Sequence, residues 1–398
     1  MSAEYAPDRN RRPKGHFLNN PKVRNLLYQA ILAAVLIWIG YTLFDNTKAN
    51  LENRGIVSGF DFMRDPAGFG ITQALIAYDE SMRYSRAFFV GLLNTFLVGA
   101  VGIFFATILG FLIGIGRLSP NWIVSRACSV YIEIVRNLPL LLQIFIWYFG
   151  VLRLLPAKRD SLDLGVFGFL NVAGWFAPMA VLEDGIWTIL AALVLGICAA
   201  IALSIQARRR QAQSGKQFPV FWAASGLIVG LPALASLMSG MPIGLDAPEL
   251  GRFGPRGGTQ IASEFFGLLI ALITYTAAFI AEIVRAGILA VNKGQVEAAH
   301  ALGFRQAPTL RLVVIPPAMR VIIPPLTSEY LNLVKNSSLA VAIGFPDVVS
   351  VGGTILNQTG QAVEIISLWM LVYLTISLLT SALMNYYNLR TTRRGGRP

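Results

Sequence analysis

The stretch Lys293-Gly294-Gln295-Val296-Glu297-Ala298-Ala299-His300-Ala301-Leu302-Gly303, continued by Val313-Val314-Ile315-Pro316, decides how this chain is read. It lies between two apolar segments of membrane-crossing length, and it is basic, carrying Lys293, Arg305, Arg311 and Arg320. Ala298 and Ala299 let another surface approach closely, and Gly303 permits a sharp chain reversal. Pro308 and Pro316 are expected to delimit a second short helix that ends at Pro316. Glu297 falls in the N-terminal half of the first helix, where the helix dipole favours negative charge. The unit is therefore either a compact docking element or an amphipathic loop joining two spans. Its surroundings must decide between them.

The surroundings are those of a membrane protein. Of 398 residues, 55% are hydrophobic and only 14% charged, against about 25% charged in soluble domains. A net charge of +12 raises the question of nucleic acid. A nucleic-acid binder gathers its basic residues on one soluble face, whereas here they are distributed between apolar runs, so nucleic acid is not an expected partner. Cys128 and Cys198 are far apart and lie in or beside apolar stretches, which makes neither a disulfide framework nor a metal spacing. His16 and His300 are the only histidines, so a histidine-rich metal site is excluded. The first apolar run is about nineteen residues long with no small-residue cleavage site after it, so it is expected to remain as a span.

A helix needs about 20 apolar residues to cross the hydrocarbon core. Eight segments meet that length: Leu26–Phe44, Phe88–Gly116, Cys128–Leu152, Ile186–Ile205, Val220–Gly240, Phe265–Ile288, Val321–Phe345 and Ile365–Leu389. In the third, Asn137-Leu138-Pro139 reads as a fresh helix start, which leaves its first half as a candidate interfacial helix. Lys and Arg in short loops mark the cytoplasmic side. The N-terminal tail carries Arg9, Arg11, Arg12, Lys14, Lys22 and Arg24; later loops carry Arg117 and Arg126, then Arg208, Arg209, Arg210 and Lys216. The chain closes on Arg390, Arg393, Arg394 and Arg397. The other loops mix signs. Eight spans with both termini in the cytoplasm is the consistent solution, and it puts the Glu297 loop inside.

The spacing EAA, three residues, Gly, nine residues, then Ile-x-Leu-Pro resembles the coupling loop of permease subunits of ATP-binding-cassette (ABC) importers, with Val313 and Ile315 standing where that form has Ile and Leu. Gly91-Leu92-Leu93-Asn94-Thr95 and Ile108 to Gly114 resemble the first core span of polar-amino-acid permeases of this family. So do Glu133-Ile134-Val135-Arg136-Asn137-Leu138-Pro139-Leu140-Leu141-Leu142-Gln143, Ala281 to Ile288, and Leu333-Val334-Lys335-Asn336-Ser337-Ser338-Leu339. The enlarged layout is similar to the longer permease of general L-amino-acid importers.

The resemblance implies an all-α integral membrane fold of about eight helices, a type I (methionine-importer-like) five-helix permease core plus three extra helices. The implied parts are 1–87 (cytoplasmic tail, first span, periplasmic loop), 88–155 (first part of the core), 156–258 (an insertion with two spans), 259–390 (second part of the core, with coupling loop 292–320) and 391–398 (a cytoplasmic basic tail). It implies a bacterial inner-membrane location and an L-amino-acid substrate. It implies as partners an ABC ATPase dimer at the cytoplasmic face, a second and shorter permease, and a periplasmic binding protein. No cofactor is expected on this chain, since ATP-Mg belongs to the partner ATPase, and no metal. Coupling falls to Glu297, Ala298, Ala299, Gly303, Ile315 and Pro316.

Candidates for the translocation path or gate are Lys335, Asn336, Ser337, Ser338, Glu282, Arg136, Asn137 and Gln143. A central Lys costs about 2.5–3.5 kcal/mol on insertion scales, and Glu329 adds a similar amount. The ten Leu, Ile, Val and Phe residues from Ile322 to Phe345 return about 5 kcal/mol, so this span is near break-even alone. Lys335 either faces the path and meets a substrate carboxylate or pairs with Glu282 or Glu133. Asn336, Ser337 and Ser338 either interrupt the helix at a transport site or hydrogen-bond between helices. Glu282 and Arg285 share a helix face and form a local pair. Gly110-x3-Gly114 and Gly226-x3-Gly230 fit close helix packing. Asp45–Arg86 reads as a solvated outer loop or a binding-protein contact.

No G-x4-G-K-[ST] phosphate loop and no G-x-S-x-G motif occurs, so energy must come from a partner. Three alternatives stay open: an ABC permease for another small polar solute, an ion-coupled secondary transporter using Lys335 and Glu282, and a membrane scaffold. Energy source separates the second from the ABC reading.

Overall fold

The computed structural model describes residues 21–53, 59–182, 186–214, 219–238 and 243–393. The basic residues up to Lys14, together with Lys216, Arg394 and Arg397, lie outside the described residues. The chain is mostly helical. Its long helices are α1 (Pro21–Asn53), α2 (Tyr84–Arg117), α5 (Ile186–Ser214), α6 (Val220–Met238), α7 (Ser263–Leu289), α10 (Ile315–Asn336) and α12 (Ala362–Arg393). Shorter ones are α3 (Trp122–Asn137), α4 (Leu140–Phe145), α8 (Lys293–Ala301), α9 (Gln306–Thr309) and α11 (Val348–Thr359).

Among the described residues, six helices are long and apolar enough to cross a membrane, and seven if the bent pair formed by α3 and the Leu140–Leu154 helix counts as one span. The eighth expected span corresponds to α5 (Ile186–Ser214), which is not among those six. The polar Gln206 to Gln213 stretch continues the helix without extending its apolar part.

The core is α2 against α7, crossed by α10. Gly110 and Gly114 make the approach possible. A Cβ on Gly110 would lie 2.6 Å from the Ile280 side chain, and one on Gly114 would lie 2.7 Å from the Ala281 carbonyl oxygen. Leu268, Leu272 and Ile280 of α7, Ile322 and Leu333 of α10, and Ile144 of α4 fill the centre and are fully buried. The second glycine pair behaves differently: nothing lies within 4 Å of a Cβ on Gly226 or Gly230. Gly196 of α5 is the close contact in that hairpin, 2.7 Å from the Leu227 carbonyl oxygen.

The expectation of an all-helical chain fails between α4 and α7. Eight short strands form there: β1 (Leu162–Asp163), β2 (Phe169–Asn171), β3 (Gly174–Ala177), β4 (Met179–Leu182), β5 (Ile243–Asp246), β6 (Glu249–Gly251), β7 (Gly254–Arg256) and β8 (Thr259–Ala262). The order β1-β2-β3-β8 makes one antiparallel sheet, with Trp175 opposite Ile261, and β4 pairs with β5. The chain thus leaves for the α5–α6 hairpin and returns along paired strands. These segments are too short and too rich in turns to be helices, and lying beyond the apolar runs they have water to solvate their edges.

The segment after α1 also departs from expectation. Residues 59–83 are not merely a solvated loop: Phe62 and Ala67 are buried with Tyr84, Phe88, Val348, Ile355 and Ile365 in a second cluster at the start of α2.

Candidate functional site

Each end of the core carries a distinct polar arrangement. At the end of α7, Asn292 caps α8 by accepting a hydrogen bond from the Gly294 N–H at 2.8 Å. The cap lets α8 begin after only three residues beyond the end of α7. At its other end the Phe304 N–H donates to the Ala299 carbonyl oxygen and the Gly303 N–H to that of His300. That double closure requires a left-handed residue at Gly303, whose φ is +79°. Glu297 and Ala298 are exposed and Ala299 is buried. Beyond the bend, Leu302 is 79% exposed and Leu312 63%. The element therefore presents an acidic residue, a small-residue face and an apolar knob away from its own core. Its second half differs from expectation. The helix does not end at Pro316: α9 passes through a π turn, Leu310–Val314, into α10, and Ile315 and Pro316 form the first turn of α10.

Near the same end, Glu282 on α7 holds two arginines. Arg285, one turn on, donates from Nη2 at 2.6 Å and from Nε at 3.1 Å. Arg117, the last residue of α2, donates to the other carboxylate oxygen. Glu282 is thus engaged away from Lys335, which disposes of the Lys335–Glu282 pair.

The α3–α4 elbow is a bend of 107°. Pro139 lacks an N–H and turns the preceding residue away from the helical region. Gln143, buried, spans the break: its side-chain amide donates to the Val135 carbonyl oxygen at 2.9 Å and to that of Leu138 at 3.0 Å. Asn137 donates to the Glu133 carbonyl oxygen at 2.7 Å. The Arg136 guanidinium lies over the Phe279 ring on α7, 5.0 Å from its centre.

Lys335 sits in the last turn of α10. The α-helix stops at Asn336 and tightens to a 3-10 helix over Ser337–Ile343, reversing at Gly344. The Ser337 hydroxyl donates to the Val334 carbonyl oxygen and the Ser338 hydroxyl to that of Lys335, both at 2.8 Å. Both serines are satisfied within their own turn, and only Lys335 among this group reaches a cleft. That cleft, about 540 Å³, is mostly apolar: on α12 it is bounded by Met370, Leu371 and Leu374, with Ser367, Tyr373 and Ser377 alongside them. Sequence reading passed over these three, whose spacing along an apolar helix carries no signal of its own.

At the opposite end, the motif residues Asn94 and Thr95 clasp the turn after α10. The Asn94 amide donates to the carbonyl oxygens of Gln73 and Pro346, at 2.8 and 2.9 Å. Thr95 accepts the Val348 N–H at 3.0 Å. Gln73 in turn accepts the Ala262 N–H at 3.3 Å, which ties the strand region to the same point.

Residues 216–393 match the family model described as "Binding-protein-dependent transport system inner membrane component". The chain is 51% identical over 93% of its length to the "General L-amino acid transport system permease protein AapQ" of Rhizobium johnstonii, covering 92% of that protein. It is 50% identical to the "Putative amino-acid ABC transporter permease protein YhdX" of Escherichia coli, over 93% of this chain and 95% of that one. The chain belongs to the binding-protein-dependent ABC importer permeases. A crystal structure of an amino acid ABC transporter with histidines aligns at 21% identity with a TM-score of 0.45, over 77% of this chain and 95% of that one.

A permease of this family is a multi-pass inner-membrane component and a non-catalytic one. Binding-protein dependence implies an ATPase and a binding protein as its partners.

Proposed function

We propose that this chain is the translocation subunit of an ATP-driven importer of broad L-amino-acid specificity. The observation that carries the reading is the 51% identity to a general L-amino-acid permease along almost the whole of both chains, which includes the insertion as well as the core.

In this reading the fold is a type I, methionine-importer-like core of five helices with three more added, α5 included as an eighth span. Both termini and the Glu297–Pro316 loop face the cytoplasm, and the strand region faces the periplasm. The division at 87, 155, 258 and 390 follows the boundaries of these parts. Glu297, Ala298 and Gly303 dock into a cleft of an ATPase dimer, with the buried Ala299 packing α8 beneath them, while Ile315 and Pro316 pass its movement into α10. A second, shorter permease completes the path. A ligand-loaded binding protein docks on the outer face, and ATP-driven closure switches access from outside to inside.

Lys335 is the residue that meets the substrate carboxylate, supported by its place as the one charged side chain at a broken helix end that faces an open, mostly apolar cleft. Asn336, Ser337 and Ser338 shape that break. Glu282, Arg136 and Gln143 act at the inner gate by holding α2, α3, α4 and α7 together, with Asn137 exposed beside them at the end of α3.

The test is reconstitution of this chain in proteoliposomes with an ATPase, a second permease and a binding protein from the same organism. Uptake of labelled L-amino acids is expected to require ATP and the binding protein. Uptake that follows an ion gradient and ignores ATP would overturn the proposal.

A further inference from the structure

The strand region carries an apolar edge that the transport reading leaves unused. Between β1 and β2 the chain makes a tight turn whose tip is Val166-Phe167, 84% and 64% exposed. The turn is built: the Leu164 N–H donates to the Gly168 carbonyl oxygen at 2.8 Å, Asp163 accepts the Gly165 N–H at 2.8 Å, and the Trp175 indole N–H donates to the Phe167 carbonyl oxygen at 2.6 Å. A turn fixed this firmly holds its two large apolar side chains outward. Leu154, 81% exposed, continues the edge on the neighbouring segment.

Beneath the turn runs an apolar groove of about 310 Å³, bounded by Leu152, Leu155, Leu164 and Trp175 on the strand side and by Phe266 and Ile270 of α7. The polar atom of Trp175 is already used by Phe167, so that ring turns only carbon surface to the groove. Ile270 lies seven residues into α7, about 10 Å along the helix. The groove therefore runs from the start of a membrane span down its side, continuous with the surface that faces lipid. Lys158 and Arg159 follow Leu155 closely and are exposed; Arg159 lies over the Phe253 ring, 5.5 Å from its centre, and the two cations supply positive charge of the kind that meets phospholipid phosphates. Trp at this level is the side chain that favours a membrane–water boundary.

We propose that this face is a lipid site: the Leu164–Gly168 turn is seated in the leaflet at the α7 N-terminal end, and the groove takes an acyl chain of a phospholipid whose phosphate meets Lys158 and Arg159. The insertion then anchors the strand region to the membrane beside the core.

The test uses the assembled importer in nanodiscs, with Cys128→Ser, Cys198→Ser and Phe167→Cys, and a nitroxide at the new cysteine. Its collision rate with oxygen is expected to exceed that with a water-soluble nickel chelate, as for a lipid-facing position. Preferential collision with the chelate, or protection from both by a covering protein surface, overturns the seating of the turn. A second measurement counts phospholipids retained by the purified complex. Ile270→Trp, which fills the groove, is expected to lose one phospholipid per copy of this chain. An unchanged count overturns the groove assignment.

Discussion

Arg117 and Glu282, 165 residues apart in sequence, join the last turn of α2 to the C-terminal third of α7, and Arg285 shares the same carboxylate. All three side chains are partly exposed, at 22–30%, so the cluster is a clamp at the rim of the core and not an ion pair sealed inside it. Its position matters because α7 leads straight into Asn292 and α8.

One carboxylate serving two guanidinium groups makes the three substitutions unequal. Removing either arginine leaves Glu282 with a partner, whereas Glu282→Gln leaves two cations facing each other. Hydrogen bonds to charged groups contribute about 1.5–3 kcal/mol each, reduced here by solvent. Glu282→Gln is therefore expected to lower the thermal midpoint of the purified permease more than Arg117→Ala or Arg285→Ala. Equal losses for all three would show that the carboxylate is not the shared element.

Gly303 is held at φ +79° with no atom within 4 Å of a Cβ position. Its constraint is backbone conformation, and a left-handed residue other than glycine costs about 1–2 kcal/mol. Asn tolerates this region, Val does not, and Asp adds charge to a face that carries Leu302. Gly303→Asn is expected to keep most substrate-stimulated ATP hydrolysis. Gly303→Val and Gly303→Asp are expected to abolish it while the chain still reaches the membrane. Normal stimulation by Gly303→Asp in proteoliposomes would refute the docking role.

What could be read beforehand was whatever is written locally. Asn137-Leu138-Pro139 announces the elbow because proline's missing N–H acts within one turn, and Glu282 with Arg285 is an i,i+3 pair on one helix. Arg117 as the other partner was not legible, since only the packing of α2 on α7, set by Gly110 and Gly114, brings it there. The strands escaped for a different reason. Period-two alternation cannot register in segments of two to four residues, and their pairing joins β3 to β8 across the whole α5–α6 hairpin. Pro316 was misread because proline marks a helix start as readily as an end. The lining of the Lys335 cleft by Ser367, Tyr373 and Ser377 depends on where α12 lies against α10, which no short spacing encodes.

Gln143 provides two donors to carbonyls freed by the elbow. Gln143→Leu keeps the volume but orphans those acceptors, at about 1–3 kcal/mol for each that water does not reach. The variant is expected to unfold at lower temperature and to transport poorly. Asn137→Ala, altering an exposed residue that bonds only within its own helix end, is expected to change stability by no more than about 0.5 kcal/mol. Thermal unfolding of the two variants side by side separates a clasp at Gln143 from general sensitivity of the elbow.

Lys335 brings the one positive charge among the residues bounding its cleft on α10 and α12. If it receives the carboxylate common to all L-amino acids, its loss should affect every substrate alike, not shift preference among them. Lys335→Met is expected to reduce uptake of neutral, acidic and basic amino acids in parallel, by at least about tenfold, which corresponds to 1.4 kcal/mol. Basal ATP hydrolysis by the complex should persist, because the coupling loop is untouched. Lys335→Arg, which retains charge but spreads it over a planar fork, should recover part of the uptake. Uptake by Lys335→Met at the wild-type rate across all three classes would remove Lys335 from the path, leaving it a cation at a helix C-terminus, where the dipole alone favours it.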